Sequence, residues 1–206
     1  AICTYRMRGK GNEGQVYGHP APMIDAQRAI QTLRSRAQEL NLDPNRIGVI
    51  GFSAGGHLAS TVATQFAQAD PNATDPVLRV SSRPDFCILC YPVIALGKPF
   101  THQGSQKNLL GADAGADLVK SLSNETRVSE QTPPTFLFHT AADKAVPVQN
   151  SLVYYEACVA HGVDVEMHLF NDGRHGLGLA ASTPGASQWA DLCQQWLIRH
   201  AMTTAN

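Results

Sequence analysis

The chain has 206 residues, of which 43% are hydrophobic and 16% charged, a composition typical of one globular domain with a substantial core. Its formal net charge of −1 at pH 7 gives no positive field for a phosphate backbone, so we predict no nucleic-acid partner. No apolar run approaches the roughly 20 residues that cross a bilayer, so we predict no membrane partner.

The first predicted elements, in chain order, are a strand, a loop and a helix. Residues 1–7 (A-I-C-T-Y-R-M) are predicted as a buried strand, and the glycine- and proline-containing segment 9–22 as a loop. Small and apolar residues recur every three or four positions over 24–40, which predicts an amphipathic helix. A chain that begins inside a strand, without Met, suggests a processed chain, a truncated chain or a gene fragment.

The remaining elements alternate between strand and helix. Helices are predicted over 54–67, 148–161 and 186–202, and strands over 46–52, 85–91, 135–140 and 164–170. This alternation predicts an α/β fold with a mainly parallel sheet flanked by helices on both faces. Ligands of such sheets bind at the C-terminal ends of the strands. We therefore interpret 1–206 as a single domain.

The segment 92–134 has no sustained period and is long for a connection, so we predict a lid-like cover over the site. Phe100, Leu109 and Leu110 are apolar candidates for its inner side, and they could equally belong to the core.

The five cysteines are scattered and odd in number, which argues against a disulfide framework. Cys87 and Cys90 have the C-x-x-C spacing, but they fall in a predicted strand, where positions three apart point to opposite faces. We therefore interpret them as buried structural residues rather than a redox pair. Free cysteines favour the cytoplasm, whereas an export signal could precede Ala1, so the sequence leaves the compartment open.

The sequence G-F-S-A-G-G-H (51–57) lies between a predicted strand and a predicted helix. In a G-x-S-x-G turn the serine adopts a strained backbone that exposes its hydroxyl, and we expect Gly51 and Gly55 to let strand and helix approach. The backbone N–H of Ala54 would point toward a developing oxyanion, aided by the positive end of the helix dipole. The pattern predicts Ser53 as a nucleophile.

A serine nucleophile needs a base, and the base needs an orienting carboxylate. Asp143 follows the predicted strand 135–140, and His175 follows the predicted strand 164–170. Because parallel strands end at one edge of a sheet, we expect both side chains to meet Ser53 there. Asp172 lies on the same loop as His175 and is a weaker candidate for the carboxylate.

Three other histidines have predicted structural roles. We expect His57 to pack or to form a hydrogen bond near the site. His139 and His168 lie within predicted strands and are interpreted as structural.

These residues resemble the α/β-hydrolase fold, specifically the esterase and lipase group that includes acetylxylan-esterase-like and other carbohydrate-esterase-like proteins. The likeness covers nearly the whole chain and rests on segments such as D-P-N-R-I-G-V-I-G-F-S-A-G-G-H-L-A-S and P-P-T-F-L-F-H-T-A-A-D-K-A-V-P. It implies Ser53 as nucleophile, His175 as general base and acid, Asp143 as orienting carboxylate and Ala54 as an oxyanion donor. It also implies small acyl esters as substrates, often acetyl groups on sugars, with no metal and no organic cofactor.

The sequence differs from the esterase and lipase group that it resembles at its N-terminal end. Those proteins have further N-terminal strands and a glycine-rich loop that supplies a second oxyanion donor, and nothing similar precedes Ala1. The strands predicted at 1–7 and 46–52 would then pair directly or borrow a neighbour, and an unpaired edge could lead to a homo-oligomer. Gly9, Gly11 or Gly14 could supply a substitute N–H.

Three functions are compatible with these features. The first is a serine carboxylesterase that cleaves short-chain acyl esters through an acyl-enzyme. The second is a serine peptidase, because D-x-x-V-P at Asp143 resembles prolyl-peptidase-like hydrolases, although the large gating domain of those proteins is missing here. The third is an inactive relic or interaction protein that retains the three side chains, which the missing front segment would explain.

Overall fold

The computed structural model describes residues 1–8 and 17–203. At its centre is a parallel sheet with the strand order β1-β2-β3-β4, comprising β1 (Val49–Phe52), β2 (Cys87–Cys90), β3 (Thr135–Thr140) and β4 (Val165–Phe170). The helices are α1 (Ala21–Ser35), α2 (Ala54–Thr64), α3 (Gln103–Leu110), α4 (Ala116–Ser121), α5 (Gln149–Ala160) and α6 (Trp189–Arg199). Within the described ranges, no helix is both long and apolar enough to pass through a bilayer.

The two central strands, β2 and β3, are buried along their whole length, as expected for a parallel sheet with both faces covered. One face packs Cys87 and Leu89 against α2 and α5. The other packs Ile88 and Cys90 against α6 and its fully buried Trp196. The predicted α/β fold is confirmed. Cys87 and Cys90 point to opposite faces as expected, and each is a free, buried thiol.

The predicted strand at 1–7 is wrong. These residues have no regular secondary structure, and Ile2 is 95% exposed. Arg6 instead forms an ion pair of 2.7 Å with Asp25 on α1. A groove of about 1080 Å³ is lined by residues 1–6 on one side and by β1 on another, so residues 1–6 do not lie against β1 as a paired strand. Among the described residues, β1 therefore pairs only with β2.

Helix α1 is shifted relative to the predicted range 24–40. It starts at Ala21 because Pro20 and Pro22 suit the first turn, where a backbone N–H has no helical acceptor. It ends at Ser35, where the chain enters a series of turns. Ala37, which lies in these turns, is only 4% exposed. The turns therefore also bury a small apolar residue, and this is why the apolar pattern of the sequence extends past the end of the helix.

The segment 92–134 contains the short helices α3 and α4, and their brevity explains why its sequence shows no sustained period. Two asparagines fix it to the body of the protein. Asn124 donates to the backbone oxygen of His57 at 3.0 Å, and Asn150 accepts from the backbone N–H groups of Ile94 and Ala95 at 3.0 and 3.1 Å. Its action as a lid stays a prediction, as does the single-domain assignment.

Candidate active site

Ser53 occupies the turn between β1 and α2 with φ 54° and ψ −120°, a conformation that side-chain-bearing residues rarely adopt. Backbone hydrogen bonds hold this turn from both sides. The N–H of Ser53 donates to the oxygen of Cys90 at 3.0 Å, and its own oxygen accepts from the N–H of Val93 at 3.1 Å. The serine is therefore fixed in its strained conformation by the end of the neighbouring strand.

Glycine is required at positions 51 and 56 because other parts of the backbone lie very close to both residues. A Cβ at Gly51 would lie 2.2 Å from the oxygen of Gly55, and one at Gly56 would lie 2.6 Å from the Cβ of Pro92. A Cβ at Gly55 would meet no atom within 4 Å, so the expected steric role of Gly55 is wrong. Gly55 lies on the open groove beside β1, which leaves room for a side chain.

The backbone at Ser53 leads to a prediction about stability. A strained conformation of this kind costs about 1–3 kcal/mol, which glycine largely avoids. We expect Ser53→Gly to be more stable than Ser53→Ala by about 1 kcal/mol in urea unfolding. The matched pair is Ser35→Gly and Ser35→Ala, where the order should reverse because position 35 is helical. The same order at both positions would contradict relief of strain at Ser53.

The structure brings Ser53, His175 and Asp143 together at the C-terminal ends of three strands. The imidazole Nε2 of His175 lies 2.7 Å from Ser53 Oγ, and its Nδ1 lies 2.6 Å from Asp143 Oδ2. The carboxylate side chain is 1% exposed and the imidazole 24% exposed, so the imidazole edge remains accessible to a ligand. The rival carboxylate of Asp172 accepts instead from the Asn171 amide.

Asp143 lies in an environment that keeps it ionised. Its Oδ1 accepts from the backbone N–H groups of Ala145 and Val146 at 2.9 and 3.0 Å. Burial raises the pKa of Asp143, but hydrogen bonds from His139, His175 and the Val146 N–H outweigh burial and lower this pKa to about 2. The carboxylate is therefore negatively charged at neutral pH and accepts the Nδ1–H of His175.

His139 has a more specific place than the sequence indicated. Its ring is fully buried, and its Nε2 lies 3.0 Å from the oxygen of Val146 and 3.5 Å from Asp143 Oδ2. Its Nδ1 lies 2.7 Å from the hydroxyl of Ser151 on α5. In the sequence, His139 and Asp143 are four residues apart, on either side of the end of a strand. This spacing could have indicated the contact between them.

Ala54 is the first residue of α2, so its N–H belongs to the turn for which the helix itself supplies no acceptor. It borders a cavity of about 120 Å³ between α2, the segment 92–134 and the N-terminal residues. Leu109, one of the candidates for the inner side of the cover, lines this cavity together with Leu122. Gly9, Gly11 and Gly14, proposed as substitute oxyanion donors, lie outside the described residues.

His57 forms one wall of the cavity. Its Nε2–H donates to the backbone oxygen of Leu122 at 2.9 Å, which confirms the expected hydrogen bond near the site. Burial lowers the pKa of His57 to about 4, so the ring is neutral at pH 7. It therefore connects α2 to the covering segment without adding a charge to the cavity.

Sequence reasoning gave no role to Tyr91, which directly follows β2. Its ring centroid lies 5.1 Å from that of His175, and its hydroxyl accepts from the N–H of Gly178 at 2.9 Å. Its position at the C-terminal end of a central strand, where ligands of α/β proteins bind, could have indicated that Tyr91 lies at the site.

A parallel sheet whose strand ends bring together a serine in a strained turn, a histidine and a buried aspartate defines a protein of the α/β-hydrolase fold. Solved structures of esterases with this architecture superpose closely on the chain. The chain belongs to the BD-FAE family, whose sequence model matches residues 4–157.

Several relatives are esterases or xylan-degrading proteins. The chain is 35% identical over 162 residues to endo-1,4-beta-xylanase B of Butyrivibrio fibrisolvens, a match covering 79% of this chain and 25% of that protein. It is 33% identical over 161 residues to the acetylxylan esterase of Xylanibacter ruminicola, covering 76% of this chain and 31% of that protein. The chain thus spans about a quarter to a third of these curated relatives.

Among solved structures, the acetyl ester-xyloside bifunctional hydrolase of Caldicellulosiruptor lactoaceticus has a TM-score of 0.89 and 53% identity, covering 91% of this chain and 69% of that one. Carboxylesterase Cest-2923 of Lactobacillus plantarum has a TM-score of 0.75 and 28% identity, covering 94% of this chain and 73% of that one.

Proposed function

We propose that the protein is a serine carboxylesterase that hydrolyses short-chain acyl esters, with acetyl groups on carbohydrates as its substrates. The observation that carries this proposal is the series of two hydrogen bonds that links Asp143 to His175 and His175 to Ser53, with lengths of 2.6 and 2.7 Å. The names of the acetylxylan esterase and the acetyl ester-xyloside hydrolase support the choice of substrate.

In this mechanism, Nε2 of His175 takes the proton of Ser53 as Oγ attacks the ester carbonyl carbon. The N–H of Ala54 donates to the oxygen of the tetrahedral intermediate. The imidazolium, stabilised by the Asp143 carboxylate, then gives its proton to the leaving alcohol, and an acyl-serine remains. In the second half of the reaction, His175 Nε2 takes a proton from a water molecule as the water attacks the acyl-serine, and the imidazolium returns this proton to Ser53 Oγ as the acid is released.

The direct test measures acetate release from acetylated xylo-oligosaccharides and from p-nitrophenyl acetate.

The relatives include an acylamino-acid-releasing enzyme of Arabidopsis thaliana, 29% identical over 147 residues, which favours a serine peptidase as the second candidate. Faster cleavage of a proline-containing chromogenic amide than of either ester would overturn the esterase proposal in favour of the peptidase. A pure, folded protein that neither turns over esters nor reacts with a fluorophosphonate would support the inactive relic.

We propose that the cavity beside Ala54 holds the acyl group. Its 120 Å³ is somewhat smaller than an engineered cavity of ~150 Å³ that holds benzene, which suits a small acyl group such as acetyl or propionyl. Shortening Leu109 to Ala should raise the ratio of kcat/KM for p-nitrophenyl hexanoate over acetate by about 10-fold. Leu118→Ala, on an exposed face of α4, should leave the ratio unchanged. An unchanged ratio in Leu109→Ala would place the acyl group elsewhere.

The edge of β1 away from β2, which pairs with no strand in residues 1–8 and 17–203, supports a further part of the proposal, self-association of the chain. Ile50 on this edge is 53% exposed, and unpaired N–H and C=O groups next to an apolar side chain favour strand addition. We expect light scattering to show a concentration-dependent dimer that Ile50→Lys abolishes and Leu118→Lys does not. A monomeric wild-type chain at all concentrations would contradict association through this edge.

A further inference from the structure

The loop that carries His175 has little intrinsic rigidity. Gly173, Gly176 and Gly178 have φ values of 141°, 79° and 56°, in the region that favours glycine. A backbone with so many glycines has many alternative conformations close in free energy. The imidazole can therefore stay within 2.7 Å of Ser53 only if contacts from outside the loop hold it there.

Besides Ser53 and Asp143, which contact the imidazole itself, three side chains from neighbouring elements form hydrogen bonds with this loop in the described part of the chain. Thr140 donates from Oγ1 to the oxygen of Gly173 at 2.9 Å, and Trp189 donates from Nε1 to the oxygen of Gly178 at 3.1 Å. Tyr91 accepts from the N–H of Gly178 at 2.9 Å.

Of these three side chains, Tyr91 is the one whose ring also packs against the imidazole, edge to face, with an interplanar angle of 72°. One residue therefore contacts both the imidazole of His175 and the loop three residues further on. Burial raises the pKa of Tyr91, so its hydroxyl stays neutral and can accept the hydrogen bond at neutral pH.

The backbone of Tyr91 is itself unusual. Its φ of 38° lies in the left-handed region, where a bulky aromatic residue is a rare outlier. The N–H of Tyr91 donates to the oxygen of Phe138 at 2.6 Å, and its ring packs against Phe138 and Phe52 at centroid distances of 6.0 and 5.9 Å. Strain of this kind persists where surrounding structure over-determines it, and it concentrates at functional sites.

We propose that Tyr91 is a positioning residue that holds the His175 imidazole in line between Ser53 and Asp143. The ring fixes the plane of the imidazole, and the hydroxyl anchors the glycine-rich loop behind it. The inference rests on the proposed function for its kinetic consequence, since misplacing a general base by about 1 Å can lower turnover by about 100-fold.

The test uses Tyr91→Phe, which keeps the ring and removes the hydroxyl, and Tyr91→Leu, which removes both contacts. With p-nitrophenyl acetate we expect kcat to fall about 10-fold in the first and about 100-fold in the second, with KM changed by less than about two-fold. Tyr155→Phe on α5 is the matched control and should keep the wild-type kcat. If Tyr91→Leu does not fold, Tyr91→Phe decides the question, and a wild-type kcat in folded Tyr91→Phe would overturn the proposal.

A spectroscopic readout separates this proposal from the proposed function. The Nδ1–H of His175 in its 2.6 Å contact with Asp143 should give a downfield proton resonance, assigned by its loss in Asp143→Asn. We expect this resonance to broaden or shift in Tyr91→Phe and to be unchanged in Tyr155→Phe. An unchanged resonance in Tyr91→Phe would overturn the positioning role. A wild-type protein that hydrolyses no ester would overturn only the function, since the resonance is independent of turnover.

Discussion

Ser53→Ala should lower kcat/KM for p-nitrophenyl acetate by about 10⁴-fold or more, because the variant has no oxygen to form the acyl-enzyme. The hydroxyl hydrogen bonds with Nε2 of His175 at 2.7 Å, and its backbone is fixed from both sides, so the loss of the oxygen should leave the fold intact. Fluorophosphonate labelling followed by peptide mass analysis should modify the wild-type chain at Ser53 and leave the variant unmodified.

Ser35→Ala provides the matched control, because this serine lies at the end of α1 and its hydroxyl contacts only the helix backbone at Thr32 among the described residues. It should retain wild-type kinetics and labelling. Ester hydrolysis that survives in a folded Ser53→Ala variant would exclude the acyl-enzyme mechanism proposed for this site.

Asp143→Asn should lower kcat by about 10⁴-fold with little change in KM. The amide that replaces the carboxylate has no negative charge to stabilise an imidazolium. An amide N–H facing Nδ1 would also favour the tautomer of His175 whose Nε2 carries the proton and cannot accept one from Ser53. Steady-state kinetics with p-nitrophenyl acetate measure the effect.

Asp172→Asn is the control for this variant, since Asp172 lies on the loop of His175 and its carboxylate accepts from Asn171. It should remain within about two-fold of the wild-type kcat. A large loss in Asp172→Asn together with a small loss in Asp143→Asn would reverse the assignment of the carboxylate.

The same Asp143 variant has a pH-dependent effect on stability. The pKa of Asp143 in the folded protein is about 2, below the ordinary value of 3.8, so folding favours the ionised carboxylate. This contribution to the free energy of unfolding is present above about pH 4 and is lost as the pH falls toward 2. In urea unfolding, the wild-type chain should therefore lose more stability than Asp143→Asn over this range. If the free energy of unfolding fell equally with pH in the wild-type chain and in Asp143→Asn, the lowered pKa of Asp143 would be contradicted.

The sequence predicted the elements whose signal is local. The apolar strands, the alternation with helices and the G-x-S-x-G turn are each encoded within short stretches. Given a parallel sheet, chain order alone then brings Asp143 and His175 to the edge that carries Ser53. The strand ends that carry these side chains are therefore predictable from the sequence.

The features that the sequence did not predict depend on distant neighbours. Residues 1–7 have the composition of a strand, but a strand also requires a partner at hydrogen-bonding distance, and a groove lies there instead. The contact of Tyr91 with His175 joins residues far apart in sequence, and no local pattern encodes it. Gly55 and Gly56 are adjacent in the motif, and only the position of Pro92 shows which of them is sterically required.

The glycine-rich loop behind His175 has a consequence for how the protein responds to heat. Opening this loop breaks a few side-chain contacts, whereas unfolding the sheet exposes two buried faces, so the loop should open at a much smaller free energy. The fraction of molecules competent for turnover is then governed by a local equilibrium rather than by global unfolding. Inactivation on warming should therefore precede melting, with amide hydrogen exchange around Gly176 faster than in the strands of the sheet.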